Sequence, residues 1–327
     1  MKDFEVKKKI LSFFYGNDGH FVSGEDISEV LGFSRASAWK YISKLRDEGY
    51  DIEAVPHLGY RMKSEPDKVY GYTICSGLDT KIMGKRSIYY YETIGSTNDR
   101  AYELAEAGEG EGTIVISELQ THGKGRMGRR WASPKAGGVY MSLILRPDLE
   151  TDEIPAITLI AGAAIIKAIE KACGLRARMK WPNDIMIKGK KVCGILTEIK
   201  AQPDRVDFLV LGLGVNVNTS AGKLPPEGTS LRTESRGHIS RAVIIRSILG
   251  QFEDDYFRFK KKGFASLREE CKSLSLVLGK HVKVEEHNRS VKGTAIDIDE
   301  KGALIIRADN GTLQRVFSGD VVLCRGA

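Results

Sequence analysis

Four strand-like apolar runs follow one another closely, at residues 178–181, 184–187, 192–199 and 206–216. Parallel neighbours need a crossover of a dozen or more residues, so runs joined by such short links must pair as antiparallel hairpins. KGKK, residues 188–191, is one such turn. Three more runs precede them, at 87–91, 113–119 and 138–145. Two good helical stretches interrupt the series, one over 98–107 and one from a Thr151 cap to Cys173, with Gly174 as its stop. The expectation is a mixed, antiparallel-rich sheet with helices against it, an α+β domain rather than a βαβ series.

Residues 1–64 follow a different pattern. VKKKILSFFYG has helical apolar spacing at Val6, Ile10, Phe13 and Phe14. Ser23 can cap a short helix ending near Leu31, Gly32 supplies a turn, and Ser34 starts a second helix that runs to about Asp47. That is the helix-turn-helix pattern. On the second helix, Ala38, Trp39, Ile42 and Leu45 read as the packing side, and Ser37, Lys40, Tyr41 and Lys44 as the opposite side. From Arg35 to Arg46 there is no acidic residue. A basic face with hydroxyl groups suits a major groove, which makes Arg35, Ser37, Lys40, Tyr41 and Lys44 the DNA-contact candidates. YDIEAVPHLGYRMK adds two strand-like runs around a turn, the shape of a wing. The same pattern also serves as a plain packing motif; the wing and the one-sided charge favour DNA.

The chain of 327 residues suggests two or three domains. Residues 65–273 hold the sheet described above. Residues 274–327 carry short strands separated by Asn-, Asp- and Gly-containing turns, the pattern of a small SH3-like β-barrel. No uncharged apolar run is long enough to cross a bilayer, and MKDFEVKKKI lacks the core of a signal peptide. A cytoplasmic protein without a membrane partner is expected. The five cysteines stand in no C-x-x-C spacing and read as free thiols. No metal-ligand or Ser-His-Asp constellation occurs. A net charge of +7 points to anionic partners.

GKGRMGRR, residues 123–130, spells both G-x-G-x-x-G and Gly-Lys. A dinucleotide fingerprint needs a helix directly after the loop, and a P-loop needs Gly-Lys-Ser/Thr. Here WASPKAGGVYMSLIL follows, a strand, and Lys124 precedes Gly125; both readings fail. What remains is a loop hinged at Gly123, Gly125 and Gly128 whose Lys124, Arg126, Arg129 and Arg130 can close on an anion. A plain solvated basic loop has the same composition. Ordering eight residues costs on the order of 10 kcal/mol of backbone entropy, which only a ligand making several charge-assisted hydrogen bonds can offset. Two further motifs carry polar groups. In KWPNDIMIKGKKVCGIL, Asn183 and Asp184 form a polar turn, Lys191 opens the return strand, and Gly194 allows close backbone approach. In ETIGSTNDRA, Ser96 or Thr97 can cap the following helix.

Taken together, GSTN, ELQTHGKGRMGRRW, KWPNDIMIKGKKVCGIL and GLGVNVN, between a winged helix and a small barrel, closely resemble biotin protein ligases that also act as biotin operon repressors. The resemblance covers essentially the whole chain. It implies a catalytic domain of the kind related to class II aminoacyl-tRNA synthetases. It also implies biotin and Mg·ATP as substrates, a biotin carboxyl carrier protein as acceptor, operator DNA, and a ligand-promoted homodimer. By resemblance Ser96, Thr97, Asn98, Gln120, Lys124, Gly125, Gly194, Gly212 and Gly214 line biotin. Arg126 retains the adenylate and Lys191 bridges the biotin carboxylate and the α-phosphate, so these two carry the catalysis. Arg129, Trp131, Asn183 and Asn216 fall on the nucleotide side, and residues 218–232 resemble a second loop over adenine. Lys124 stands where many relatives carry Arg, Met127 replaces a frequent basic residue, and Arg325 lies one position off a family arginine. A non-catalytic DNA-binding sensor of a small acid and a lipoate-attaching ligase are the alternatives.

Overall fold

Helical apolar spacing builds the first of two units, Met1–Asp79. In the computed structural model, residues 2–17, 19–202, 205–286 and 289–324 are described; Arg325 lies outside them. The unit comprises α1 (Lys2–Gly16), α2 (Gly24–Leu31), α3 (Arg35–Asp47), β1 (Asp51–Val55), β2 (Gly59–Ser64) and α4 (Gly71–Ser76). Ser23 and Asp26 form a reciprocal capping box at the start of α2, and Gly32 ends it in the left-handed conformation at φ 64°. Ser34 caps α3. Val6, Ile10, Phe14, Ile27, Leu31, Ala38, Ile42 and Leu45 share one core. The antiparallel pair β1–β2 forms the wing. Residues 65–79 fold with this unit: the Ser76 hydroxyl donates to Lys8 O at 3.0 Å, and that of Ser12 to Ser76 O at 3.2 Å.

The second unit, Thr80–Ala327, holds the sheet. Its elements are β3 (Ile88–Tyr91), α5 (Thr97–Glu106), β4 (Ile114–Ser117), β5 (Gly138–Leu145), α6 (Ile154–Cys173), β6 (Arg178–Lys180), β7 (Asp184–Ile187), β8 (Lys190–Gln202) and β9 (Arg205–Asn216). They are followed by α7 (Leu231–Ser235), α8 (Arg241–Lys262) and α9 (Ala265–Ser273). The seven strands lie in the order β3-β4-β5-β9-β8-β7-β6. Only β3 and β4 pair in parallel; the closely spaced runs form antiparallel hairpins. Helix α6 is apolar on nearly every side and correspondingly buried between the sheet and α8. It starts at Ile154 rather than at a Thr151 cap, because residues 151–153 make a single 3-10 turn and Pro155 suits a first helical turn. Helices α7, α8 and α9 go beyond the two helices expected here. Helix α8 was nonetheless visible, as Ala242, Ile245, Leu249, Phe252, Tyr256 and Phe259 recur every three or four residues and are all buried.

The C-terminal part adds β10 (His281–Glu285), β11 (Ser290–Ile298), β12 (Leu304–Ala308), β13 (Leu313–Val316) and β14 (Asp320–Leu323). They form a five-stranded antiparallel sheet in the order β13-β12-β11-β10-β14. It docks closely on the larger sheet's layer. The Trp181 indole donates to Gly302 O at 3.1 Å, and a Cβ on Gly302 would stand 2.7 Å from Ala156 N. The turn before β14 thereby comes to the edge of the cavity described next.

Candidate functional site

The antiparallel pair β8–β9 aligns Gly194 with Gly214 and Leu196 with Gly212. These glycines open the sheet face at one end, and a cavity of about 620 Å³ stands over them. The glycines have different local causes. A Cβ at Gly212 would lie 2.1 Å from Asn98 Oδ1, so this position makes room for the Asn98 amide. A Cβ at Gly214 would lie 2.6 Å from the Trp131 ring, and one at Gly194 would meet the same ring at 3.0 Å. Trp131 therefore lies across both strands, with Lys191 Nζ 5.3 Å from its ring centroid.

One wall is a buried polar network. Ser96 is the cap of α5, its hydroxyl accepting from the Asp99 N–H at 3.4 Å. The Gln120 carbonyl oxygen accepts from the Thr97 N–H at 2.8 Å and from the Thr97 hydroxyl at 3.1 Å, while its amide donates to Ser133 Oγ at 2.9 Å. Ser142 Oγ lies 2.6 Å from Asn98 Oδ1 and 2.8 Å from Thr97 Oγ1, and its single proton serves one at a time. The Asn98 amide donates to Glu198 at 2.7 Å. The side chains of Thr97 and Asn98 are thus held by protein partners in fixed orientations.

The 123–130 stretch is folded more tightly than a hinged loop. The Gly125 N–H donates to Arg129 O at 2.7 Å, and the Trp131 N–H to Gly123 O at 2.8 Å. Between them Arg126–Gly128 makes one 3-10 turn, with Met127 at φ 55° and Gly128 at φ 72°. Gly123 is required for close packing, since a Cβ there would stand 2.5 Å from Trp131 O. Only Gly128 serves the turn by its positive φ.

Four of the cations at the cavity, Lys124, Arg126, Arg129 and Lys191, already have an anionic partner. Lys191 Nζ stands 2.7 Å from Asp184. Arg126 donates to Asn183 Oδ1 at 3.2 Å and to Gly319 O at 3.1 Å, with Asp320 at 3.8 Å. Arg129 pairs with the same Asp320, and Lys124 with Asp99 and, at 3.6 Å, Glu198. The hydrogen bond that Lys124 donates to Asp99 raises the lysine's pKa against the opposing effect of burial. Burial lowers that of Arg126, opposed by the charges of Asp320 and Asp184. Arg126 is thus a partly desolvated cation, able to interact strongly with an incoming anion.

All the candidates of the second unit line this one cavity: Ser96, Thr97, Asn98, Gln120, Lys124, Gly125, Arg126, Arg129, Trp131, Asn183, Lys191, Gly194, Gly212, Gly214 and Asn216. Leu224, Pro225, Glu227 and Gly228 of the 218–232 segment line it too. That segment is tied to Lys191 by backbone bonds, from the Lys191 N–H to Glu227 O and from the Thr229 N–H to Lys191 O, both 2.8 Å. Asn183 is committed internally, since its amide donates to Ile195 O at 2.9 Å while its oxygen accepts from Arg126. Four side-chain polar atoms are buried without a hydrogen-bond partner among the described residues, on Ser117, Trp131, Asp184 and Asn216; Asp184 Oδ1 is ion-paired with Lys191, which leaves Trp131 Nε1 and Asn216 Oδ1 as the unmatched atoms at the cavity. Sequence reasoning missed Ser142, Glu198 and Asp320 as parts of the site. Asp184, adjacent to Asn183 in the same turn, was within reach of it.

On α3, Arg35, Lys40 and Lys44 are exposed and Ser37 is half-buried. Arg35 pairs with Glu25 at 2.7 Å and Lys44 with Asp3 at 2.8 Å. Two aromatic side chains exchange their expected places. Trp39 is 55% exposed, whereas Tyr41 is half-buried against the core. Helical geometry accounts for this. At about 100° per residue, Tyr41 lies closer than Trp39 to the stripe of Ala38, Ile42 and Leu45.

Comparisons with known proteins agree with this architecture. Residues 6–61 match a profile described as HTH domain, residues 90–216 the Biotin/lipoate A/B protein ligase family, and residues 277–323 the Biotin protein ligase C terminal domain. The chain is 39% identical to the bifunctional ligase/repressor BirA of Bacillus subtilis, covering 97% of this chain and 98% of that protein. It is 28% identical to the Escherichia coli protein of the same name, over 99% and 98% respectively. Among solved structures, the Aquifex aeolicus biotin protein ligase in complex with biotin and ATP superposes with a TM-score of 0.62 at 28% identity, covering 74% of this chain and 100% of that one. The chain belongs to the biotin protein ligases, in the branch of bifunctional ligase/repressors that join the ligase to a helix-turn-helix.

Proposed function

We infer that the cavity joins biotin to ATP, forming biotinyl-5′-adenylate and pyrophosphate, and then passes the biotinyl group to a lysine of a biotin carboxyl carrier protein. The observation that carries this reading is the convergence of every candidate residue of the ligase motifs on one cavity. Biotin's ring system fits the end walled by Thr97, Asn98 and Gln120, where hydrogen-bonding groups are fixed in advance. Its carboxylate must reach within bonding distance of the α-phosphate of Mg·ATP. At about 4 Å and an effective dielectric constant of about 20, two such charges repel by about 4 kcal/mol. Lys191 stands between them and offsets that repulsion as charge develops on the α-phosphate. Arg126 and Arg129 hold the adenylate's phosphate, and Lys124 and Gly125 close over biotin. Trp131 and Asn216 serve the nucleotide: the buried indole N–H calls for an acceptor and the Asn216 oxygen for a donor.

Asp184 and Asp320 act as resident counter-ions. They hold Lys191, Arg126 and Arg129 in place until substrate anions take over those cations. Transfer of biotin, dependent on ATP, to an apo-carrier is the test. No transfer would leave the non-catalytic sensor, and equal use of lipoate in competition would leave the lipoate-type ligase. The first unit binds operator DNA through α3 and the wing, with Arg35, Ser37, Lys40, Tyr41 and Lys44 as contact residues. Adenylate orders the loops and promotes a homodimer that presents two winged helices to a palindromic site. Sedimentation with and without biotin and ATP tests that step, and unchanged mass would remove it. The reaction belongs in the cytoplasm, where ATP and carrier coexist.

A further inference from the structure

Trp39 is 55% exposed on the second helix of a helix-turn-helix, and no described residue caps its ring or accepts from its indole N–H. Burying a side chain of this size contributes strongly to association, and tryptophan is costly to leave in water without use. Its position on α3 is specific. Going round the helix at about 100° per residue, the exposed positions from Arg35 to Lys44 come in the order Arg35, Trp39, Ala36, Lys40, Lys44, and the one exposed acid of α3, Asp47, stands at its far end, about two turns beyond Trp39. The indole therefore sits between one cation and two others, beside an alanine small enough to let the helix approach a surface closely. Trp39 also lies in the N-terminal half of α3, and this part of a recognition helix meets base edges. The helix has no acidic residue in its first turn. A polyanion fits this bracket of charge; a second protein surface would have to supply acids on both sides of an apolar slot.

We propose that Trp39 is a specificity-determining residue for DNA, packing its indole against the C5-methyl group of a thymine in the major groove while Arg35 and Lys40 contact the flanking phosphates. Thymine is the base that offers an apolar group there, and contact with its methyl is a known means of sequence discrimination. The proposal rests on the reading of the first unit as DNA-binding.

The test uses the full chain with biotin and ATP. Duplexes are selected from a random pool, and each thymine of the selected site is then replaced in turn by deoxyuridine, which removes only the methyl. For the wild type, one deoxyuridine position per half-site is expected to weaken binding about tenfold. W39A should bind the thymine and deoxyuridine duplexes equally, with its biotin transfer rate unchanged as a check on folding. Wild-type discrimination retained by W39A would overturn the proposal, as would a uniform loss of binding without any change in thymine preference. Failure of the wild type to select any duplex would overturn the DNA-binding reading itself, and this proposal with it.

Discussion

The 123–130 loop and helix α3 are both basic, yet they hold their charges in opposite ways. In the loop, Arg126 is largely withdrawn from water and bonded to Asn183 and Gly319 O, with Asp320 behind it. On α3 the cations stand in solvent, and the pairs Arg35–Glu25 and Lys44–Asp3 are between exposed side chains. Exposed pairs of this kind contribute little and are screened by salt. The difference separates two sorts of anion recognition. On the proposed reading the loop exchanges a fixed anion, Asp320, for a substrate phosphate, so its selectivity is geometric. The helix offers mobile charge to an extended polyanion, and its selectivity must come from what lies between the charges.

Five substitutions press on that contrast. Lys191→Ala should slow adenylate formation by at least about a hundredfold, the usual cost of losing one electrostatic contact to a transition state, as read by rapid quench. A retained rate would remove Lys191 from the reacting centre. Gly212→Ala places a Cβ 2.1 Å from Asn98 Oδ1. It should destabilise the second unit by about 1–3 kcal/mol in urea denaturation and weaken biotin binding in calorimetry. Asp320→Asn removes the shared counter-ion of Arg126 and Arg129. Limited proteolysis should then cut the 123–130 stretch several-fold faster without ligand, and at the wild-type rate with adenylate bound. Lys40→Ala should reduce the slope of DNA affinity against salt by about one. Lys44→Ala should change it less, since Asp3 already offsets that charge.

Local chemistry made much of this legible in advance. Apolar runs located β5 and β7 at their observed bounds, Ser23 and Ser34 cap helices with their hydroxyls, and Gly174 ends one in the left-handed conformation. The motif residues of the second unit are legible in the sequence, and they line one cavity. What escaped depends on partners distant in the chain. The cause of Gly212 lies in Asn98, and that of Gly214 in Trp131. Asp320 reaches the loop from the far end of the sequence because Trp181 and Gly302 dock the smaller sheet beside the cavity. Trp39 and Tyr41 were placed on the wrong sides by treating a broad apolar face as uniform. The buried stripe is narrow, and a difference of some tens of degrees decides which ring is inside.

On the proposed reading, this cavity activates biotin without help from the carrier protein. Biotin-dependent exchange of pyrophosphate into ATP, with no carrier present, tests it most directly. Wild-type protein should catalyse the exchange only when biotin is added, and lipoate should not replace it. Exchange that is absent, indifferent to biotin, or equally supported by lipoate would contradict the account.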